Sequence, residues 1–306
     1  MKKIKGTIYL LCAALLWGVA FVAQDVGLEH IEPFTFTSVR CFLGAVVLFF
    51  ICLILNKTKK DKPSFTKAER KKNGKNLIVG SLVCGTVMCL ATNLQQIGLV
   101  YTTAGKSGFI TACYIVLVPV IGLFLKRKCP LTVWIAVMLA VTGLYFLCLG
   151  DGIGSINKGD LITLGCTVMF SLHILVIDAF IVKTDAVCLA CGQCLVNSII
   201  SAVFMFIFEN PSLQKILNAI IPLVYTGVFS AGVAYMFQIL GQKFLKPTVA
   251  SIIMSLESVI SVLAAWVILN QALSIKEIIG CVVIFCAIIL AQIQFKKKDK
   301  GIKTLY

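Results

Sequence analysis

Three ionisable side chains lie inside long apolar stretches of this sequence, where a charged group must be paired or hydrogen-bonded. Glu257 and His173 each fall near the middle of such a stretch, and Arg40 lies about a turn and a half into a third. A carboxyl group or an imidazole at that depth could bind a small molecule or carry a proton. Either could equally form a structural hydrogen bond to a neighbouring helix.

Arg40, Asp25 and Asp178 lie nearer the ends of their stretches and are candidates for gating or coupling. Arg40 could act as an outer gate, pair with an acid such as Asp25, or extend to the outer interface. Asp25 and Asp178 hold equivalent positions in a weak internal repeat. In an inverted pair they would lie at opposite membrane faces, where each could gate one side or cap the interface.

Uncharged polar and aromatic side chains recur at helical spacing, and a lipid-facing surface would not be polar, so we expect them to point inward. Asn197 belongs to one polar stripe and Asn93 lies beside another. Tyr114 and Tyr235 could supply aromatic walls, with ordinary packing as the alternative, and Trp17 shares a helical face with Phe21 and Gln24. The predicted cavity residues are Trp17, Asn93, Tyr114, His173, Asn197, Tyr235 and Glu257.

Other kinds of chemistry have no support in the sequence. There is no Walker lysine motif, nucleophile elbow or metal-ligand cluster. The 14 cysteines fall almost entirely in apolar runs, as does the CxxC of Cys191 to Cys194. We therefore predict that the chain is not an enzyme and holds no metal and no cofactor.

The composition indicates a polytopic helical membrane protein. Hydrophobic residues make up 59% of the 306 residues, charged residues only 13%, and the mean hydropathy is +0.99. Soluble domains average about 25% charged residues, so a soluble enzyme, a disordered chain and a coiled coil are excluded. The formal net charge of +15 does not indicate nucleic-acid binding, because the basic residues lie in the gaps between apolar stretches.

A membrane-spanning helix needs about 20 mostly apolar residues, and ten stretches meet that requirement. They are 7–24, 34–55, 77–99, 104–125, 131–149, 161–182, 186–208, 216–240, 247–269 and 278–295.

Basic residues predict the orientation of these spans. Of the 28 Lys and Arg residues, 23 fall in the two termini and in alternate gaps, with nine of them in the 56–76 loop. Because cytoplasmic loops are rich in Lys and Arg, we predict that both termini are cytoplasmic. We predict that the membrane is the plasma membrane. The lysine-rich 56–76 loop is expected to contact anionic lipid head groups.

Weak internal similarity predicts two halves. Trp17 and Asp25 correspond to Phe170 and Asp178 at a constant offset of 153 residues. Five spans per half is an odd number, so the second half must enter the membrane from the opposite side, as in transporters built from inverted repeats. The predicted halves are residues 1–150 and 151–306.

Local motifs then identify a family. They are Ala14–Phe21 (ALLWGVAF), Pro33–Phe36 (PFTF) with Arg40, and Ser255–Val259 (SLESV) followed by Gly280. With ten spans in two halves, the chain resembles the drug/metabolite transporter superfamily, specifically the EamA-type permeases, over nearly its whole length.

The resemblance implies two EamA-type repeats around a central cavity and export of small metabolites or amino acids, with proton coupling common in the superfamily. The chain departs from the family pattern at Ser258, where proline usually follows the glutamate. It departs again at Gln271, where an acidic residue often ends span nine.

The leading hypothesis is a secondary transporter of small molecules that works by alternating access, with membrane lipids as its surroundings. Spans one to four and six to nine are expected to line the cavity. Spans five and ten are expected to be peripheral, where they could support a homodimer. Uptake and multidrug efflux remain alternatives within this fold. Outside it, an intramembrane lipid enzyme is less well supported, because the ionisable residues are scattered singly. A sensor or a channel without coupled transport is a third alternative.

Overall fold

The computed structural model of the chain describes residues 2–58, 67–102, 104–127, 129–149, 157–269 and 274–298. Within these residues every regular element is a helix. The α-helices, in chain order, are α1 Lys2–Leu28, α2 Pro33–Thr58, α3 Lys67–Leu99, α4 Ala104–Ala112, α5 Tyr114–Phe124, α6 Leu131–Leu149, α7 Lys158–Phe180, α8 Ala186–Phe208, α9 Leu213–Asn218, α10 Ile220–Tyr225, α11 Tyr235–Gln242, α12 Pro247–Met254, α13 Leu256–Leu269 and α14 Ile275–Lys298. A π-helical segment, Thr226–Ala234, connects α10 to α11.

Eight helical segments in the described residues are long and apolar enough to cross a membrane. Two shorter apolar helices, Leu131–Phe146 and Ile278–Ala291, coincide with the predicted spans five and ten. The prediction of an all-helical, multi-pass membrane protein is therefore confirmed, while the number of ten spans stays a prediction.

The predicted 56–76 loop is shorter in the structure than in the sequence analysis. Helix α2 continues to Thr58 and α3 begins at Lys67, so the last ten residues of the predicted loop are helical. Lysine, arginine and glutamate are good helix formers, so a basic stretch can extend a membrane helix into water. Residues 59–66 lie outside the described residues, as do Gln271 and the junction at 150–156.

The predicted eighth span also begins later than expected. The short helix α9 is separate, and Ala219, at φ −92° and ψ 12°, interrupts the chain before the long segment starts at Ile220. Pro222 lies in the first turn of that segment, where its missing N–H has no intrahelical partner to lose.

The main contacts between the two halves of the chain come in corresponding pairs. Helix α6 packs on α14, and α2 packs on α8, so each of these pairs joins one half to the other. The contact of α3 with α7 has its counterpart in that of α1 with the α10–α11 segment. The contact of α1 with α13 likewise corresponds to that of α5 with α7. This correspondence agrees with the predicted halves, which stay a prediction.

Glycine allows α1 to approach α13 closely. A Cβ placed on Gly18 would lie 2.4 Å from Cβ of Ile260 and 2.8 Å from the backbone oxygen of Glu257. Small residues at such crossings let helices approach closely in a membrane, where apolar surface gives little drive for association. Gly18 therefore determines how near α1 lies to the backbone of Glu257.

We expect Gly18→Ala to destabilise the protein by about 1–3 kcal/mol, the usual cost of an overpacked contact. Gly165→Ala is the matched control, because the nearest atom of another helix to its added Cβ, Leu94 Cδ1, is 3.6 Å away, an ordinary contact distance. Thermal unfolding of the purified variants in detergent should show a lower midpoint for Gly18→Ala only. Equal midpoints for the two variants would contradict the close packing of α1 on α13.

Candidate functional site

The fourth predicted span of each half is interrupted in the same way. Cys113 separates α4 from α5 at φ −62° and ψ −6°, and Ser255 separates α12 from α13 at φ −60° and ψ −12°. At these points backbone hydrogen bonds shorten to the 3₁₀ type: Cys113 N donates to Ile110 O at 3.2 Å, and Ser258 N donates to Ser255 O at 3.1 Å. Each interruption is thus a local tight turn within one span, at corresponding positions of the two predicted halves.

A hydrogen bond joins the two interruptions. Tyr114 is the first residue of α5 and Glu257 the second of α13, and the Tyr114 hydroxyl donates to Oε1 of Glu257 at 2.8 Å. Both residues are buried, with 4% and 5% of their surface exposed. In such a low-dielectric setting the bond is strong and an unpaired partner would be costly.

The two residues face a cavity that contains about 500 Å³ of space, counting its open part. Its lining comes from α1–α5, α7, α11–α13 and the π-helical segment: Trp17, Phe21, Gln24, Arg40, Gln95, Thr111, Tyr114, Phe170, Ile174, Ser230, Tyr235, Gln238, Met254 and Glu257. In the described part of the chain, α6, α8 and α14 add none of these residues. Spans five and ten, which are α6 and α14, were expected to be peripheral, and neither contributes to this lining. Span seven, which is α8, was expected to line the cavity and does not.

Trp17 and Tyr235 form an aromatic corner of the cavity. Their ring centroids are 5.1 Å apart at an interplanar angle of 65°. The Trp17 indole N–H donates to the backbone oxygen of Ser230, in the π-helical segment, at 3.3 Å. π-Helical turns occur frequently at functional sites, and this one helps to hold the indole in the cavity wall.

Arg40 lines the same cavity and is hydrogen-bonded to one amide group. Its Nη1 donates to Oε1 of Gln24 at 2.5 Å, and the side chain of Gln96 donates to the same oxygen. The Gln24 side-chain nitrogen donates to Ala20 O at 3.1 Å. Asp25, an expected partner of Arg40, is exposed and does not bond to it. The α1 residue that faces Arg40 is Gln24 instead.

His173 lies behind this wall rather than in it. The side chain is fully buried, and its Nε2 lies 3.0 Å from Oε1 of Gln193. The imidazole ring meets Tyr235 edge-on, with the centroids 6.0 Å apart. His173 therefore contacts the lining residue Tyr235, whose side chain separates it from the cavity.

Asn93 and Asn197 lie between α3 and α8, away from the cavity. Asn93 Nδ2 donates to Ser201 Oγ at 2.8 Å, and Asn197 Nδ2 donates to Thr92 Oγ1 at 3.1 Å. Ser201 in turn donates to Asn197 Oδ1 at 3.1 Å. The two polar stripes point inward as expected, but toward each other rather than toward the cavity, because these side chains fill the contact between two helices.

Asp178 forms an ion pair near the end of α7. Arg127 Nη1 donates to Asp178 Oδ2 at 2.7 Å, and the two side chains are 38% and 27% exposed. Exposed pairs of this kind contribute about 0–1 kcal/mol to stability. The pair connects the end of α5 to α7, outside the cavity.

Several lining residues were not among the predicted site residues. Gln24, Gln95, Gln238 and Thr111 each line the cavity. Only Gln24 had a sequence signal, because it shares a helical face with Trp17. The others are single polar residues in apolar helices, and the sequence does not show which of these face a cavity. No group of three or more His, Cys, Asp or Glu residues in the described chain could hold a metal ion.

The proteins that this chain resembles in sequence are transporters. The model of the EamA-like transporter family matches residues 4–149 and again residues 157–292. An uncharacterized transporter of Archaeoglobus fulgidus is 30% identical over 300 residues, covering 96% of this chain and 88% of the relative. The uncharacterized transporter YoaV of Bacillus subtilis is 26% identical over 303 residues, covering 96% and 99%.

A solved crystal structure shares the fold. It superposes on this chain with a TM-score of 0.77 at 18% sequence identity, and the match covers 97% of this chain and 98% of the other.

The Tyr114–Glu257 hydrogen bond can be tested by a double-mutant cycle. We expect Tyr114→Phe and Glu257→Gln each to lower stability by about 1–3 kcal/mol, because each leaves or weakens a buried polar partner. Since the two changes remove one shared bond, their combination should cost less than the sum. Thermal unfolding in detergent measures all four forms, and strictly additive changes would show that the bond does not form.

Proposed function

Because the chain belongs to the EamA-like transporter family, we propose that it is a secondary transporter that exports small metabolites by alternating access, amino acids or related compounds among them. The observation that carries this proposal is the cavity at the two helix interruptions, where a buried carboxyl group and a buried guanidinium face the same space. Sites of this construction bind small polar molecules near the middle of the membrane.

The proposed architecture has ten spans in two inverted halves, residues 1–150 and 151–306. Two separate matches of one family model, the recurring helix contacts and the paired interruptions support it. We further propose that both termini are cytoplasmic and that the membrane is the plasma membrane, on the distribution of basic residues. A homodimer through α6 and α14 is compatible with the peripheral position of these helices and stays a prediction.

The charges in the cavity favour polar metabolites over cationic drugs. In the described lining Arg40 is the only basic residue and Glu257 the only acidic one, so a drug that carries a positive charge alone would pair with Glu257 but leave Arg40 without an anion. Uptake remains an alternative, because an inverted repeat does not prefer a direction. Family membership favours transport over an intramembrane enzyme. The gating roles of Asp25, Arg40 and Asp178 stay predictions.

Untargeted profiling of spent medium tests the proposal. Cells that express the wild type should enrich at least one small polar metabolite outside the cell relative to cells with an empty vector. Glu257→Gln should reduce this enrichment about tenfold, the equivalent of about 1.4 kcal/mol of lost interaction. Glu29→Gln, which alters an exposed acid after the end of α1, is the matched control at equal membrane abundance.

The possible results separate the parts of the proposal. Enrichment by the wild type and Glu29→Gln but not by Glu257→Gln supports export through this cavity. Enrichment by all three keeps the exporter and assigns Glu257 to packing. No difference from the empty vector would contradict export of endogenous metabolites.

We also propose that Glu257, rather than His173, carries the coupling proton, because Glu257 lines the cavity and His173 does not. In proteoliposomes, substrate transport by the wild type should respond to an imposed pH gradient. Glu257→Gln should abolish that response, and His173→Ala should retain it. A response unchanged in Glu257→Gln would rule out this carboxyl group as the proton carrier.

A further inference from the structure

Arg40 is a buried cation without an acidic partner in the described part of the chain. Only 5% of its surface is exposed. The hydrogen bond to Gln24 uses one N–H of Nη1, and Nε has no hydrogen-bond partner among the described residues. The guanidinium carbon lies 5.6 Å from the ring centroid of Phe36, which covers part of the group. Guanidinium has five N–H donors, so several remain available.

The amides around Arg40 position it without neutralising it. The Gln24 carbonyl oxygen accepts hydrogen bonds from Arg40 and Gln96 together, and the Gln24 nitrogen donates to Ala20 O. The Gln24 amide is therefore held at both ends, and its oxygen is directed at the guanidinium. A charge at membrane depth usually pairs with an opposite charge. Among the described residues, the Gln24 amide and the Phe36 ring lie beside Arg40 in place of an opposite charge.

Arg40 and Glu257 are the only charged residues in the described cavity lining, and they do not pair. Gly18 of α1 packs against the backbone oxygen of Glu257. Gln24, which holds Arg40, follows six residues later, about 9 Å further along the helix axis. The cavity therefore has a basic end at Arg40 and Gln24 and an acidic end at Glu257 and Tyr114.

We propose that Arg40 binds the carboxylate of a zwitterionic substrate whose ammonium group is bound at Glu257. This inference rests on the transport function proposed above and assigns the substrate class and its orientation. A guanidinium matches a carboxylate with two parallel hydrogen bonds, and one cation neutralises one carboxylate. A phosphate group, with up to two negative charges, would leave a charge uncompensated in this lining.

Binding to the purified wild type is the first test. The probes are the proteinogenic amino acids, their methyl esters, in which the carboxylate is blocked, and their N-acetyl derivatives, in which the amine is blocked. We expect at least one free amino acid to raise the unfolding temperature in detergent. Its methyl ester should bind at least about tenfold more weakly, because it cannot accept the charged hydrogen bonds of Arg40.

Variants then assign the effect to Arg40. For the amino acid that binds, Arg40→Gln should weaken binding at least about tenfold and reduce the preference over the methyl ester. Arg40→Lys should restore part of the affinity, since it keeps the charge but not the planar pair of donors. Lys75→Gln, which removes an exposed cation at the start of α3, should bind as the wild type does. If Arg40→Gln does not fold, the comparison of acid and ester on the wild type still tests whether the protein binds the carboxylate.

Three results would overturn the inference. The methyl ester could bind the wild type as tightly as the acid, or Arg40→Gln could bind the acid with unchanged affinity. The wild type could also bind none of the free amino acids. If the wild type nevertheless exports a metabolite without an acidic group, in a manner that depends on Glu257, transport stands and only the role of Arg40 fails. If the wild type exports nothing in the spent-medium experiment, the proposed function fails and the inference falls with it.

Discussion

The hydrogen bond between Tyr114 and Glu257 is the interaction around which the cavity is organised. A carboxyl group buried at membrane depth must have a partner, and the hydroxyl that meets it lies at the equivalent interruption of the other half. The α4–α5 and α12–α13 segments each contain a tight turn there, at Cys113 and at Ser255. The bond therefore joins the two halves where both depart from ideal helix geometry, and the cavity opens beside it.

The charges of the cavity are kept apart by the way the helices pack. Gly18 brings α1 into contact with α13 at the backbone of Glu257, and the next two turns of α1 carry Gln24 to Arg40. Had Arg40 reached Glu257, the two would have neutralised each other and left no charged group for a ligand. Separation along one helix instead preserves an acidic end and a basic end in one space. The proposed zwitterionic substrate would have one partner at each end.

Other polar residues stabilise the bundle rather than the site. Asn93, Ser201 and Asn197 are linked by hydrogen bonds between α3 and α8, and His173 is bonded to Gln193. In a membrane such bonds and close-packed small residues hold helices together, because lipid is as apolar as the helix surface. A polar stripe in a membrane helix therefore marks an inward face, and that face can meet a neighbouring helix as readily as a cavity.

The sequence by itself determined the class of the protein, because hydropathy and charge act locally along the chain: the apolar stretches, the family motifs and the depth of Glu257 all follow from residue order. The sequence also predicted four cavity residues that the structure places together: Trp17, Tyr114, Tyr235 and Glu257. Only the tertiary structure decided that Arg40 bonds to Gln24 instead of Asp25, and that α8 turns its amides away from the cavity. These outcomes depend on the rotation and register of each helix, and contacts between residues far apart in the sequence decide both.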